Sequence, residues 1–164
     1  MPLKSKLENL SRGTTYKTRC KMEDIVKKLE EKGVKPTAMR LLTYKHLSKM
    51  EVAISLGELE KHFKSSERST LFRTMKTFEE NKLVHAIEDG TGFVKYALCD
   101  EDCQCEVGND LHLHFHCNKC DETICLTDHK IPQINLPQGF KAENINLIVQ
   151  GICVKCGNEG ADSR

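Results

Sequence analysis

The chain has 164 residues and a mass of 18.6 kDa, room for one ordinary domain or two small ones. Apolar residues make up 38%, aromatics 5% with no Trp, and charged residues 30%, which predicts a modest aliphatic core. No 18-residue apolar stretch occurs and the opening MPLKSKLENLSRGTT has no apolar signal core. The sequence therefore predicts a cytoplasmic protein without a membrane span, whose nine Cys are thiols or metal ligands rather than a disulfide framework.

The net charge of +1 conceals an asymmetry. Residues 1–98 hold 20 Lys+Arg against 13 Asp+Glu, a balance of +7; residues 99–164 hold 5 against 11, a balance of −6. Cysteine divides the same way, with only Cys20, expected as a plain thiol, before Cys99. A basic, cysteine-poor first part and an acidic, Cys/His-rich second part follow. A basic face is what a nucleic acid requires, although many solvated helical surfaces carry such an excess.

Residues 1–17 are polar and basic with little periodicity, which predicts a flexible arm. From Thr18 to Lys32, Met22, Ile25, Val26 and Leu29 recur at three- and four-residue spacing, an amphipathic helix closed by Gly33. Thr37, after Pro36, can cap a second helix with the face Met39, Leu42, His46, Leu47 and Met50. Ser55 with Glu58 three residues later forms a capping box for a third helix through Leu56, Leu59 and Phe63. Glu67 to Asn81 gives a fourth, burying Leu71, Met75, Phe78 and Thr74. Two β-rich runs, 83–87 and 93–98, flank the turn Glu88-Asp89-Gly90-Thr91-Gly92 and predict a hairpin. Helices followed by a β-hairpin describe a winged helix-turn-helix over 18–98, the fourth helix reading the major groove; on pattern alone the alternative is a plain helical domain.

Residues 99–110 are acidic and Cys-rich, a linker carrying candidate ligands. In the last part, 111–164, Leu111 to Cys117 alternates strictly, with His112, His114 and His116 on one face. Thr123–Leu126 and Asn144–Gln150 read as further short strands, and Pro132 and Pro137 leave room between them only for a short helix or an irregular crossover.

The strongest chemical signal is the doubled C-x2-C of Cys117/Cys120 and Cys153/Cys156. Each pair presents two sulfurs to one ion, and two pairs make a closed tetrahedral S4 site suited to a structural Zn²⁺ that fastens two strands. The alternative is a pair of redox C-x2-C motifs. A second cluster draws on His85, Cys99, His112, His114 and Cys125, with Cys103 and Cys105 close enough to replace Cys99. Its mixed N/S donors favour Zn²⁺ over Fe²⁺ or Mn²⁺, and ligands from hairpin, linker and sheet would make the metal a latch. His116 reads as a bystander, and His46, His62 and His129 as ordinary surface or helix-face residues. No GxSxG, Walker loop, dinucleotide fingerprint or HExxH is present, so no enzyme class is indicated.

Four segments resemble the ferric uptake regulator (Fur) family of bacterial metal-responsive repressors. They are Gly33-Val34-Lys35-Pro36-Thr37-Ala38-Met39-Arg40, Ser69-Thr70-Leu71-Phe72-Arg73, His112-x-His114-x-x-Cys117-x-x-Cys120 and Gly151-Ile152-Cys153-Val154-Lys155-Cys156. Their order and spacing cover about residues 20–157. The resemblance implies an α+β fold, a winged-helix DNA-binding domain followed by a small α/β dimerisation domain with zinc-linked strands. It implies a homodimer on a palindromic operator that controls metal homeostasis genes. It also implies DNA contacts by Lys35, Arg40, Ser69, Thr70, Phe72 and Arg73, with Phe72 standing where the family usually has Tyr.

Among the subgroups, the zinc-uptake regulators are most similar in site chemistry. Their interdomain ligands fall at His85, at Cys99 after Tyr96-Ala97-Leu98, and at His112 or His114, while Cys125 stands where some members place Glu. The iron regulators' additional site would need donors at Leu111, Leu113 and Ile145, where none exists. The reading is a zinc-responsive repressor with one structural zinc per subunit and a second, regulatory metal. Iron or peroxide sensing is the alternative within the family, and a zinc-ribbon interaction module the alternative outside it.

Overall fold

The structure, a computed structural model, describes residues 21–99, 112–130, 135–142 and 145–158. The arm 1–17, Cys20, Cys103, Cys105 and Leu111 lie outside the described residues. Helix α1 (Met22–Glu31) buries Ile25 and Leu29. It ends where Gly33 adopts φ +72°. The Gly33 N–H then donates to the Glu30 carbonyl (2.9 Å) and the Val34 N–H to the Leu29 carbonyl (2.8 Å). This double bond pattern satisfies carbonyls the helix leaves open and folds Val34 onto Leu29.

Helix α2 (Ala38–Leu47) buries Thr43, Tyr44 and Leu47. The inward face thus differs from expectation: Leu42 is 46% exposed. Tyr44 takes the inward side because its ring meets Phe78 edge-on, centroids 6.2 Å apart, a contact an aliphatic count does not weigh. Met50 lies beyond the helix but still packs on the core. Strand β1 (Ile54–Ser55) leads into α3 (Leu56–His62). Here the capping box forms as read: the Ser55 N–H donates to a Glu58 carboxylate oxygen (2.7 Å) and the Glu58 N–H to Ser55 Oγ (3.3 Å). Helix α4 (Arg68–Glu80) buries Leu71, Thr74, Met75 and Phe78.

The hairpin is β2 (Val84–Glu88) and β3 (Val94–Leu98), registered from Val84 opposite Leu98 to Glu88 opposite Val94. Strand β1 adds to it, giving the order β1-β3-β2. The four helices and this sheet share one core built on Ile25, Leu29, Leu59, Leu71, Met75 and Phe78, all 0% exposed.

A second sheet follows. Strands β4 (His112–Cys117), β5 (Thr123–Lys130) and β6 (Ile148–Gly151) are ordered β5-β4-β6, with β5 antiparallel and β6 parallel to β4. Strand β5 runs past the expected end at Leu126, and β6 begins later than the expected Asn144. Among the described residues between β5 and β6 there is no helix. Helix α5 (Val154–Asn158) closes the chain as described. The buried cluster of this sheet is Cys117, Cys153 and Cys156 with Phe115 packed against them. Sulfur stands where an aliphatic core would be. The fold is α+β, a winged helix-turn-helix followed by a small cysteine-bearing sheet.

Candidate metal centres and nucleic-acid interface

The first C-x2-C spans the end of β4 and its turn; the second spans the start of α5. The Cys117 N–H donates to the Glu122 carbonyl (2.9 Å) and the Asn118 N–H to the Gly151 carbonyl (2.8 Å), which pins the two motifs side by side. The four sulfurs all lie within 4.8 Å of one another. Cys120 Sγ and Cys153 Sγ are 3.8 Å apart, and the edge of a tetrahedron with Zn–S bonds of about 2.3 Å is also about 3.8 Å. The Cys153 N–H donates to Cys117 Sγ (3.3 Å). That bond, with backbone donation at Cys120 and Lys119, lowers the Cys117 pKa to about 6 against the cost of burial. Burial and the neighbouring sulfurs push Cys156 up to about 12. Four sulfurs this close, one with its pKa drawn down and one with its pKa pushed up, are crowded donors that a single cation would relieve, which is the donor chemistry of a structural zinc site.

The second group joins the two sheets. His85 lies on β2 of the wing, His112 and His114 on β4, and Cys125 on β5. Their donor atoms lie within 4.8 Å of one another. His85 Nε2 is 3.2 Å from His114 Nε2 and 3.4 Å from Cys125 Sγ. With Zn–N bonds of 2.0–2.1 Å a tetrahedral N–N edge is about 3.4 Å, so three imidazoles and one thiol fit a tetrahedral ion. The alternation of β4 places His112 and His114 on one face, and the register sets His114 opposite Cys125. Burial, then the neighbouring His112 and His85, lower the His114 pKa to about 4, opposed only by the Leu147 carbonyl. Its imidazole is therefore neutral at pH 7, the form a metal requires. Cys99 comes to the other edge of His85, its sulfur 3.6 Å from Nδ1, and is not in the four-donor group.

On α4, Ser69, Thr70, Phe72 and Arg73 are exposed together, Phe72 at 51%. Lys35 is exposed too. Arg40 turns inward: its guanidinium donates to the Lys35 carbonyl (2.9 Å) and to Thr77 Oγ1 (3.3 Å), bracing the turn before α2 against α4. His46 and His62 stack, centroids 3.7 Å apart, on the helical surface.

Sequence reasoning missed one buried node. Asp89, at the wing turn, is 1% exposed and 2.8 Å from the Lys95 ammonium. Its carboxylate accepts from the hydroxyls of Thr91 and Thr123, 2.5 Å each. Burial raises its pKa, but Lys95, Thr123 and Thr91 more than offset this and hold the carboxyl well below its usual range. His116, read as a bystander to the metal, is in neither donor group; it is 4% exposed, with Nδ1 3.4 Å from that carboxylate and 3.1 Å from Thr123 Oγ1. The available signals were weak: an Asp two residues before Thr in a glycine-bearing turn, and a third histidine on the β4 face.

A winged helix-turn-helix joined to a small sheet of cysteines and histidines is the build of a metal-responsive regulator of transcription rather than of an enzyme. The model of the Ferric uptake regulator family matches residues 31–152, and the chain belongs to that family. Comparison with curated proteins gave no match. Solved structures of similar fold include a zinc uptake regulator complexed with zinc and DNA, 18% identical, covering 85% of this chain and 95% of that one, with a TM-score of 0.62. Holo XcZur is 16% identical over 84% of this chain and 96% of its own, with a TM-score of 0.60. The Vibrio cholerae ferric uptake regulator is 20% identical over 78% and 98%, with a TM-score of 0.54. At these identities the likeness is one of fold. Among the described residues no helix is long and apolar enough to cross a membrane.

Proposed function

We propose that this chain is a zinc-responsive repressor that binds a palindromic operator as a homodimer in the bacterial cytoplasm and controls metal homeostasis genes. The observation that carries the reading is the convergence of His85 from the wing with His112, His114 and Cys125 from the sheet. Zinc would supply a tetrahedral tie at that point and, at Cys117, Cys120, Cys153 and Cys156, a structural one. His85 holds the wing end of the tie and the two β4 histidines with Cys125 hold the sheet end. Joined in this way, the wing and α4 are fixed relative to the sheet through which two subunits pair. Two α4 helices held at one spacing fit two major-groove half-sites, and the ordering cost of binding falls. The DNA face is Ser69, Thr70, Phe72 and Arg73, with Lys35 toward the backbone; Arg40 supports that face from behind. The domains are 18–98 for DNA and 111–164 for pairing and metal, linked by 99–110.

Zinc rather than iron is favoured by the donors. Cys125 supplies a thiol where an iron site would take oxygen or nitrogen. Leu113 and Ile145 bring no donor to a further site. The fold does not choose between metals, since ferric and zinc uptake regulators share it. Zinc quantification under reducing conditions, combined with X-ray absorption, tests the assignment. Two ions per subunit, one with four sulfurs and one with three nitrogens and one sulfur, are expected. A single zinc, or an oxygen-rich second site that prefers Fe²⁺, would contradict it.

A further inference from the structure

Among the described residues the wing meets the second sheet at two places, and one of them is made of metal donors. The β4–β5 register runs on from the pair His114 and Cys125, past Phe115 and Ile124, to the next pair on the same face, His116 and Thr123. On the wing, Asp89 follows His85 by four residues, just beyond the end of β2. Asp89 is seated at this second step. Thr123 donates to its carboxylate, and the Lys95 ammonium lies 2.8 Å from it while also donating to the Asp121 carbonyl (2.5 Å) and Thr123 Oγ1 (3.1 Å). Main-chain contacts surround this pair. Gln150 Nε2 donates to the Asp89 carbonyl (3.2 Å), Asn146 Nδ2 to the Glu88 carbonyl (3.1 Å), and the Ala53 N–H to the Thr123 carbonyl (2.8 Å). Gly90, at φ +88°, lies so near that a Cβ there would come within 3.2 Å of Gln150 Nε2. The turn of the hairpin is thereby held against the sheet.

None of these groups belongs to either metal-donor set. We infer that the Asp89 cluster is a metal-independent joint that seats the wing on the sheet, and that Asp89, Lys95, Thr123 and His116 are positioning residues for the regulatory centre. The joint fixes one end of the wing-to-sheet contact. His85 is then carried to within tetrahedral reach of His114 and Cys125 before an ion arrives, so the ion closes a gap already set. This inference rests on the regulatory reading of His85, His112, His114 and Cys125, but its structural half stands apart from it.

The test uses the full chain with zinc held at the four-cysteine site, and two variants. Asp89→Asn keeps the shape and removes the charge that Lys95 faces. Thr123→Val keeps the volume and removes the hydroxyl. The readouts are the affinity of the chelator-labile zinc and, without that zinc, hydrogen exchange at the Ala53 amide by NMR. Loss of groups that orient ligands typically weakens metal binding roughly 10–100-fold. That loss is expected in both variants, with faster exchange at Ala53 and unchanged protection in α1–α4. Labile zinc affinity and Ala53 protection that match the wild type in both variants would overturn the joint. If Asp89→Asn does not fold, Thr123→Val decides by the same readouts. A wild type that binds no second zinc would sink the regulatory reading, while the exchange at Ala53 would still decide the joint.

Discussion

His85 shows how single atoms divide the work at the proposed regulatory centre. Its Nε2 edge faces His114 and Cys125, and its Nδ1 edge faces the Cys99 sulfur. A group on the far nitrogen fixes ring orientation and tautomer without being a ligand. Cys125→Ser should therefore remove a donor and abolish tight binding of the labile zinc. Cys99→Ser should leave a functional site, weakened about 10–100-fold; competition with a zinc chelator separates the two. The same logic divides the arginines. Arg73 is exposed on α4, so Arg73→Ala should weaken specific operator binding by roughly 1–3 kcal/mol with zinc content unchanged, read by fluorescence anisotropy on an operator selected from a random duplex pool. Arg40 is bonded to Lys35 and Thr77, so Arg40→Ala should lower the melting temperature as well as DNA affinity. Residue types were legible here and their pointing was not. The spacing named the histidines and cysteines, but which edge of an imidazole a sulfur meets depends on packing between sheets.

The elements of the first part were legible because each carries local chemistry. Gly33 closes α1 in a left-handed conformation, and Gly33→Ala should cost about 1–2 kcal/mol, the penalty of a Cβ there. Ser55→Ala should cost about 0.5–2 kcal/mol by removing the capping box of α3. Urea unfolding of the N-terminal part measures both. Lys82 closes α4 with the same bond pattern at φ +54°, although it is not glycine, and nothing in the residue type announces that. Strand β1 was missed because two residues make no period. The inward face of α2 was misjudged because Tyr44, not Leu42, meets Phe78. The parallel pairing of β6 with β4 is a long-range event that no local pattern encodes.

At the scale of the molecule, two unlike parts meet. The first has an aliphatic core of its own, and the buried cluster of the second is cysteine. On the proposed reading, metal binding and folding are therefore one event in the second part. Cys120→Ser or Cys156→Ser should lose the tightly held zinc and the order of β4–β6, while α1–α4 keep their protection from hydrogen exchange. The charge split follows the change from the aliphatic cluster to the cysteine one, and the doubled C-x2-C named the cysteines that gather in the second. The joint at Asp89 was invisible to both, because it pairs residues such as Asp89 and Thr123 that lie far apart in sequence and carry no shared motif.

The central claim is that the histidine–cysteine centre couples zinc to DNA. It is tested most directly by titrating a selected operator duplex with wild type and His114→Ala, each with and without labile zinc. The wild type should gain about 5–150-fold in affinity with zinc, a coupling of about 1–3 kcal/mol. DNA should tighten zinc binding by the same factor, and His114→Ala should show neither effect while keeping its four-cysteine zinc. An equal zinc response in the two proteins would contradict the account.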